Sequence, residues 1–234
     1  MESVDNITYL GDKVSNDGKN TINIKERVTK GVGIISEIFT ILENVAFGQH
    51  YFKAALLLRN SLLLSSCLYN ADVWHNVSQR EVAELSKLDS IFFSRLFSVP
   101  QTTVKESFFL ETGAFDIETN IKIKRVLYYH SVVQRKDQLI HLIIMTQLYR
   151  SCKGDWILQV ERDFHDFKIE FSLSFLEKMP KNKFKDFVSK QAKKYLYMKL
   201  YMKKLTHSKT GIFTIHYLAV LVATKIPPQP TVDN

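Results

Sequence analysis

The sequence predicts a mainly α protein, a helical bundle with a short β-hairpin at its N-terminal end. Apolar residues recur at spacings of three, four and seven along most of the chain after residue 20. Helix start and stop signals fall where those periodic runs begin and end. Strand-like alternation is confined to the first twenty residues. A chain of 234 residues can bury one large core or two small ones. A hydrophobic fraction of 45%, with only 5 Pro and 8 Gly, excludes disordered and fibrous classes.

Residues 7–15 alternate loosely, with Ile7, Tyr9 and Val14 apolar, and run into the turn signal Asn16-Asp17-Gly18. A lone hairpin is marginal in water, so this one needs something to pack on. The first helix is expected to start at a capping box, Asn23 with Glu26 three residues on. Its apolar stripe is Ile24, Val28, Ile35, Ile38, Leu42 and Val45. Lys25, Arg27, Lys30 and Glu37 are assigned to the opposite face. Gly31-Val32-Gly33 is only a fragment of a phosphate-loop pattern and reads better as a close helix contact or a bend.

A second helix over 49–70 is leucine-rich all round, which points to burial between other helices, interrupted by Arg59 and Asn60. The third covers 79–97, opened by a Ser78–Glu81 capping box and closed by Pro100. Thr103 and Glu106 are expected to cap a short helix ending at Gly113. Further helices are predicted over 117–134, 138–149, 156–167 and 174–206, the last broken at Pro180. The tail "IFTIHYLAVLVATKIPPQPTVDN" has an apolar run of about fifteen residues, short of the roughly 20 a membrane span needs. It reads as a buried strand or helix, ahead of a non-native tail or a membrane anchor.

Charge is concentrated. Residues 178–209 hold eleven Lys and one Asp, a net +10, whereas residues 1–177 sum to −2. On one helix, Phe184, Val188, Tyr195, Met198, Met202 and Leu205 form a stripe, with Lys185, Lys190, Lys193, Lys203 and Lys204 around it and Tyr197 and Tyr201 between them. Lysines at this density attract phosphates, and tyrosines can stack on bases.

Other chemistry is not signalled. Cys67 and Cys152 lie too far apart in sequence for a zinc pair, and the His residues stand singly, so no metal or cofactor is expected. There is no nucleophile elbow and no glycine-rich phosphate loop. Asp166-Phe167-Lys168 matches only half of a nuclease pattern. Trp74 and Trp156 read as core residues before base-stacking ones. Two cysteines without a disulfide framework, and no secretory start, fit an intracellular protein, nuclear or cytoplasmic.

The strings "YLG", "DGKN", "IKERVTKG", "LLLRNSLLLSS", the Trp74 segment and "KGDWILQVERDF" resemble, in order and spacing, the region after the catalytic palm of LINE-type, non-LTR retrotransposon reverse transcriptases. The likeness covers about residues 7–170. It implies that Tyr9, Leu10 and Gly11 belong to a primer-grip hairpin, the edge of a palm not contained in this sequence. It also implies that the helix over 23–45 is the first helix of a thumb lying along template–primer. The domain reading is then a hairpin (1–20), a thumb-like bundle (21–113), a second helical region with a basic last helix (114–206) and a tail (207–234). The family's polymerase turn carries adjacent aspartates, and no two Asp are adjacent here, so no catalysis is expected.

The expected partner is RNA or DNA, most naturally an RNA–DNA hybrid, met through Lys25, Arg27, Lys30, Lys190, Lys193 and Lys194. The alternatives are a protein-docking module using the leucine-rich surface 56–64, or a truncated element remnant without selected function. No membrane is expected.

Overall fold

The computed structural model describes residues 6–9, 12–15, 20–74, 77–135, 138–150 and 155–207. The chain is mainly helical. It divides into two compact units, Met1–Leu196 and Tyr197–Asn234. The predicted tail after Gly211 lies outside the described residues.

At the front, β1 (Asn6–Tyr9) and β2 (Asp12–Ser15) pair antiparallel, with Asn6 opposite Ser15 and Tyr9 opposite Asp12. Residues 7–15 are therefore not one strand leading into Asn16-Asp17-Gly18, because two four-residue strands share that stretch. β2 lies against α1 (Thr21–Leu42), and a Lys13–Glu26 ion pair joins the two. The expected Asn23 capping box is absent. The N-cap lies three residues earlier, at Asn20, and makes no side-chain cap bond.

α1 buries Ile24, Ile35, Ile38 and Leu42 against α4 (Gln79–Leu96), which supplies Leu85, Leu88, Phe92 and Leu96. The two helices meet closely at Gly31. A Cβ there would stand 2.7 Å from Leu88 Cδ1 and 2.8 Å from Cys67 Sγ. A side chain cannot fit without displacing its neighbours. α4 begins with the expected capping box: Ser78 Oγ accepts from Glu81 N, and Glu81 Oε2 accepts from Ser78 N.

The leucine-rich helix is α2 (Gln49–Leu58), continued by a π-helical segment, Arg59–Leu64, into α3 (Ser65–Cys67). Its burial departs from the all-round pattern the leucines suggest. Leu63 and Leu64 are buried, but Leu57 is 68% exposed and Leu62 is exposed as well. Arg59, read from sequence as a polar interruption, is 1% exposed. Its guanidinium donates to Asp89 Oδ1 at 2.5 Å and to the Phe115 carbonyl at 3.0 Å, and lies over the Phe93 ring. Asp89 in turn accepts from the Ile117 amide at 2.9 Å. A buried cation needs a paired anion, and this pair also ties down the backbone at Ile117, where a later helix starts.

α5 (Lys105–Thr112) starts after Val104 without a side-chain cap, so Thr103 does not play the predicted part. It ends at Gly113, as predicted, with the glycine in the left-handed region at φ 64°. Phe108 stacks on Phe97 at 5.5 Å and 8°, and Phe97 also stacks on Phe52, so rings link α2, α4 and α5.

The second core lies among α6 (Ile117–Arg135), α8 (Trp156–Asp166), α9 (Leu173–Lys178) and α10 (Lys181–His207). Val126, Tyr129, Ile157, Val160, Phe164, Phe184 and Val188 form its centre. Pro180 separates α9 from α10. α7 (Gln138–Arg150) packs on α6 and α8. The Trp156 indole donates to the Asp72 carbonyl at 2.7 Å and pins this core to the first.

Candidate nucleic-acid interface

The basic residues predicted on α1 divide between solvent and interior. Lys25 and Lys30 are exposed, whereas Arg27 is 7% exposed and does not share their face. Helical geometry explains it: Arg27 is three residues after Ile24 and four before Gly31, within a turn of both on the buried side. Its Nε donates to Asn23 Oδ1 at 3.0 Å, and its Nη1 to the carbonyls of Ser66 (3.0 Å) and Cys67 (3.4 Å). The guanidinium also lies over Trp74 at 5.2 Å and Tyr69 at 6.0 Å. Asn23 is thus a ligand for Arg27 rather than a helix cap. Arg27, for its part, helps satisfy carbonyls at the end of the leucine-rich helix.

Beside this arginine an open pocket of about 340 Å³ lies between α1 and α3, lined by Asn23, Glu26, Arg27, Lys30, Ser65, Ser66 and Tyr69. Glu26 is engaged by Lys13. Burial pushes the Cys67 thiol up to about 11, against the opposing pull of the Arg27 and Lys30 charges, so the thiol stays protonated.

On α10 the anchoring stripe is Phe184, Val188, Ala192 and Leu196, at steps of four. This corrects the sequence stripe, since Met198 is 60% and Met202 55% exposed. Small Ala192 sits where the helix meets its neighbours, a position a search for large apolar residues passes over. With that stripe buried, Lys181, Lys183, Lys185, Lys190, Lys193 and Lys194 all face solvent. Lys183, Lys190 and Lys194 follow one another at seven and four, so they share one side of the helix. None of these lysines belongs to an ion pair among the described residues. Asp186 is the single acid on this helix.

The platform beneath is fixed by polar contacts that sequence reasoning did not find. Arg125 of α6 holds Asp163 of α8 through two bonds, at 2.7 and 3.2 Å, and reaches Gln159 at 2.9 Å. Lys122 donates to Asp166 at 2.7 Å and to Tyr195 Oη at 2.8 Å, tying α6 to α8 and α10, with Glu118 at 3.2 Å. Burial alone would lower the Lys122 pKa, but these partners outweigh it and raise it, so the ammonium is kept charged. Asp166 is therefore part of a structural ion network, with Phe167 buried next to it.

His130 is buried against Phe184, with ring centroids 4.1 Å apart, and its Nε2 lies 2.9 Å from the Met179 carbonyl. Trp74 is buried and Trp156 half-buried, which leaves both as core residues. Tyr9 ends β1, whereas Leu10 and Gly11 lie outside the described residues. The α1 cations sit on a helix packed against α4, and the α10 lysines on a helix that contributes to the second core. Among the described residues no three His, Cys, Asp or Glu side chains gather as a metal site. No described helix is long and apolar enough to cross a membrane. Comparison with family models, with curated proteins and with solved structures gave no match.

Proposed function

We propose that this chain binds RNA or DNA, an RNA–DNA template–primer above all, through the phosphate backbone and without catalysing a reaction of its own. The observation that carries this reading is the outer face of α10. Six lysines between residues 181 and 194 are exposed on a helix whose opposite side is locked into the core. Like charges four apart, as at Lys190 and Lys194, destabilise a helix by about 0.2–0.5 kcal/mol, so this arrangement is poor for folding and suited to an anionic partner. Lys25 and Lys30 supply a second, smaller contact on α1. Backbone contacts of this kind fix position without reading sequence. The resemblance of residues 7–170 to a reverse-transcriptase thumb supports the hybrid as ligand, and the lack of adjacent aspartates supports a non-catalytic role.

The test is a fluorescent RNA–DNA hybrid titrated with the full chain across about 50 to 300 mM salt. Binding should weaken linearly in log–log form, and each phosphate-bound lysine should contribute about 0.9 to the slope. A folded chain that does not bind at the lowest salt contradicts the reading. A protein-docking role would then draw on the exposed Leu139, Leu142, Ile143 and Tyr149 of α7, in place of the half-buried leucine surface.

A further inference from the structure

The pocket between α1 and α3 has a composition that the backbone-binding reading does not use. Its cations come from one side. Arg27 is fixed at the floor by three hydrogen bonds, and Lys30, one turn along the same helix, stays exposed at the rim. The carboxylate in the lining, Glu26, is drawn off to Lys13, so it opposes an incoming anion less than its position suggests. The remaining lining is the Asn23 amide, which Arg27 engages, the hydroxyls of Ser65 and Ser66, and Tyr69, a residue 50% exposed. The Arg27 guanidinium lies 6.0 Å from the Tyr69 ring's centroid, so charge and ring face stand side by side.

A volume of about 340 Å³ is at the lower end of small-ligand sites and far more than a lone phosphate requires. We infer that this pocket accepts a single nucleotide unit, its phosphate at the exposed Lys30 within the field of Arg27 and its base against the Tyr69 ring. Phosphates seek such paired cations, and a base can stack on any aromatic face without sequence preference. The site shares Lys30 with the proposed nucleic-acid surface but does not depend on α10. The nucleotide could be free or the end of a strand.

Calorimetric titration of the full chain with AMP, adenosine and inorganic phosphate tests the proposal. AMP should bind about tenfold or more tightly than either part alone, because only AMP engages both walls. Lys30→Glu should abolish AMP binding. Tyr69→Ala should reduce AMP to the level of inorganic phosphate. A short oligonucleotide with a terminal phosphate that displaces AMP assigns the pocket to strand ends, and one that does not assigns it to free nucleotides.

No heat with AMP from a chain that circular dichroism shows to be folded overturns the inference. So does AMP binding that both substitutions leave unchanged, or binding of phosphate as tight as AMP. Hybrid binding without AMP binding removes only the pocket, and AMP binding without hybrid binding removes only the α10 reading.

Discussion

α1 and α10 are both amphipathic helices rich in cations, and they direct those cations differently. On α1 the middle cation, Arg27, is drawn inward to backbone carbonyls and two aromatic rings, while Lys25 and Lys30 remain outside. On α10 every lysine from 181 to 194 points to water. The residue types account for much of this. A planar guanidinium with five donors can satisfy two carbonyls and an amide at once and is weakly hydrated, whereas a lysine ammonium keeps its hydration unless a carboxylate replaces it. Lys122, half-buried with Asp166, Glu118 and Tyr195 around it, is the case that confirms the condition. The three interior arginines, Arg27, Arg59 and Arg125, hold the bundle together, whereas the lysines of α10 between 181 and 194 stay in solvent.

The comparison can be broken first at the interior cations. Asp89→Ala leaves the Arg59 guanidinium buried without its anion and should destabilise the fold by about 3–5 kcal/mol in urea unfolding. Gly31→Ala places a methyl against Leu88 and Cys67, and about 1–3 kcal/mol of destabilisation should follow. Replacing Arg27 by Lys keeps the charge but not the fork. Loss of its bonds to Asn23, Ser66 and Cys67 should cost about 1–3 kcal/mol, while Lys30→Met on the same helix should stay within about 0.5 kcal/mol.

A smaller effect concerns pH. Burial lowers the His130 pKa below the ordinary 6.5, against the opposing pull of its bond to the Met179 carbonyl. The unfolded chain therefore binds this proton more readily than the folded one, and stability present above that value is lost as pH falls through and below it. Unfolding midpoints measured on both sides of pH 6.5 should diverge in the native chain and converge in His130→Gln. Equal pH dependence in the two proteins would place the loss elsewhere.

Most helices were legible because their apolar period and their stops are local properties. The Ser78–Glu81 box, Gly113 and the break at Pro180 are where the sequence places them. What escaped depends on partners distant in sequence. Nothing near Arg59 signals that Asp89 and the Phe115 carbonyl await it, and in a run of leucines no face stands out for a π-helical turn to select. Arg27 is different: its spacing from Ile24 already placed it at the buried edge, but its charge argued for solvent. Ala192 was passed over because it is small.

For the candidate interface, the exposed lysines of α10 were legible as a charge excess, and those of α1 as the polar face of an amphipathic helix. The pocket between α1 and α3 was not, because it joins residues about forty positions apart.

The central claim is that the outer lysines of α10 serve a polyanion and not the fold. It is tested most directly by comparing the native chain with the triple variant Lys190→Glu, Lys193→Glu, Lys194→Glu, in hybrid binding across salt and in urea unfolding. The account predicts that binding is lost while unfolding free energy changes by less than about 1 kcal/mol, since none of the three touches the core. Unchanged binding with an unchanged salt slope, in a variant as stable as the native chain, would contradict it.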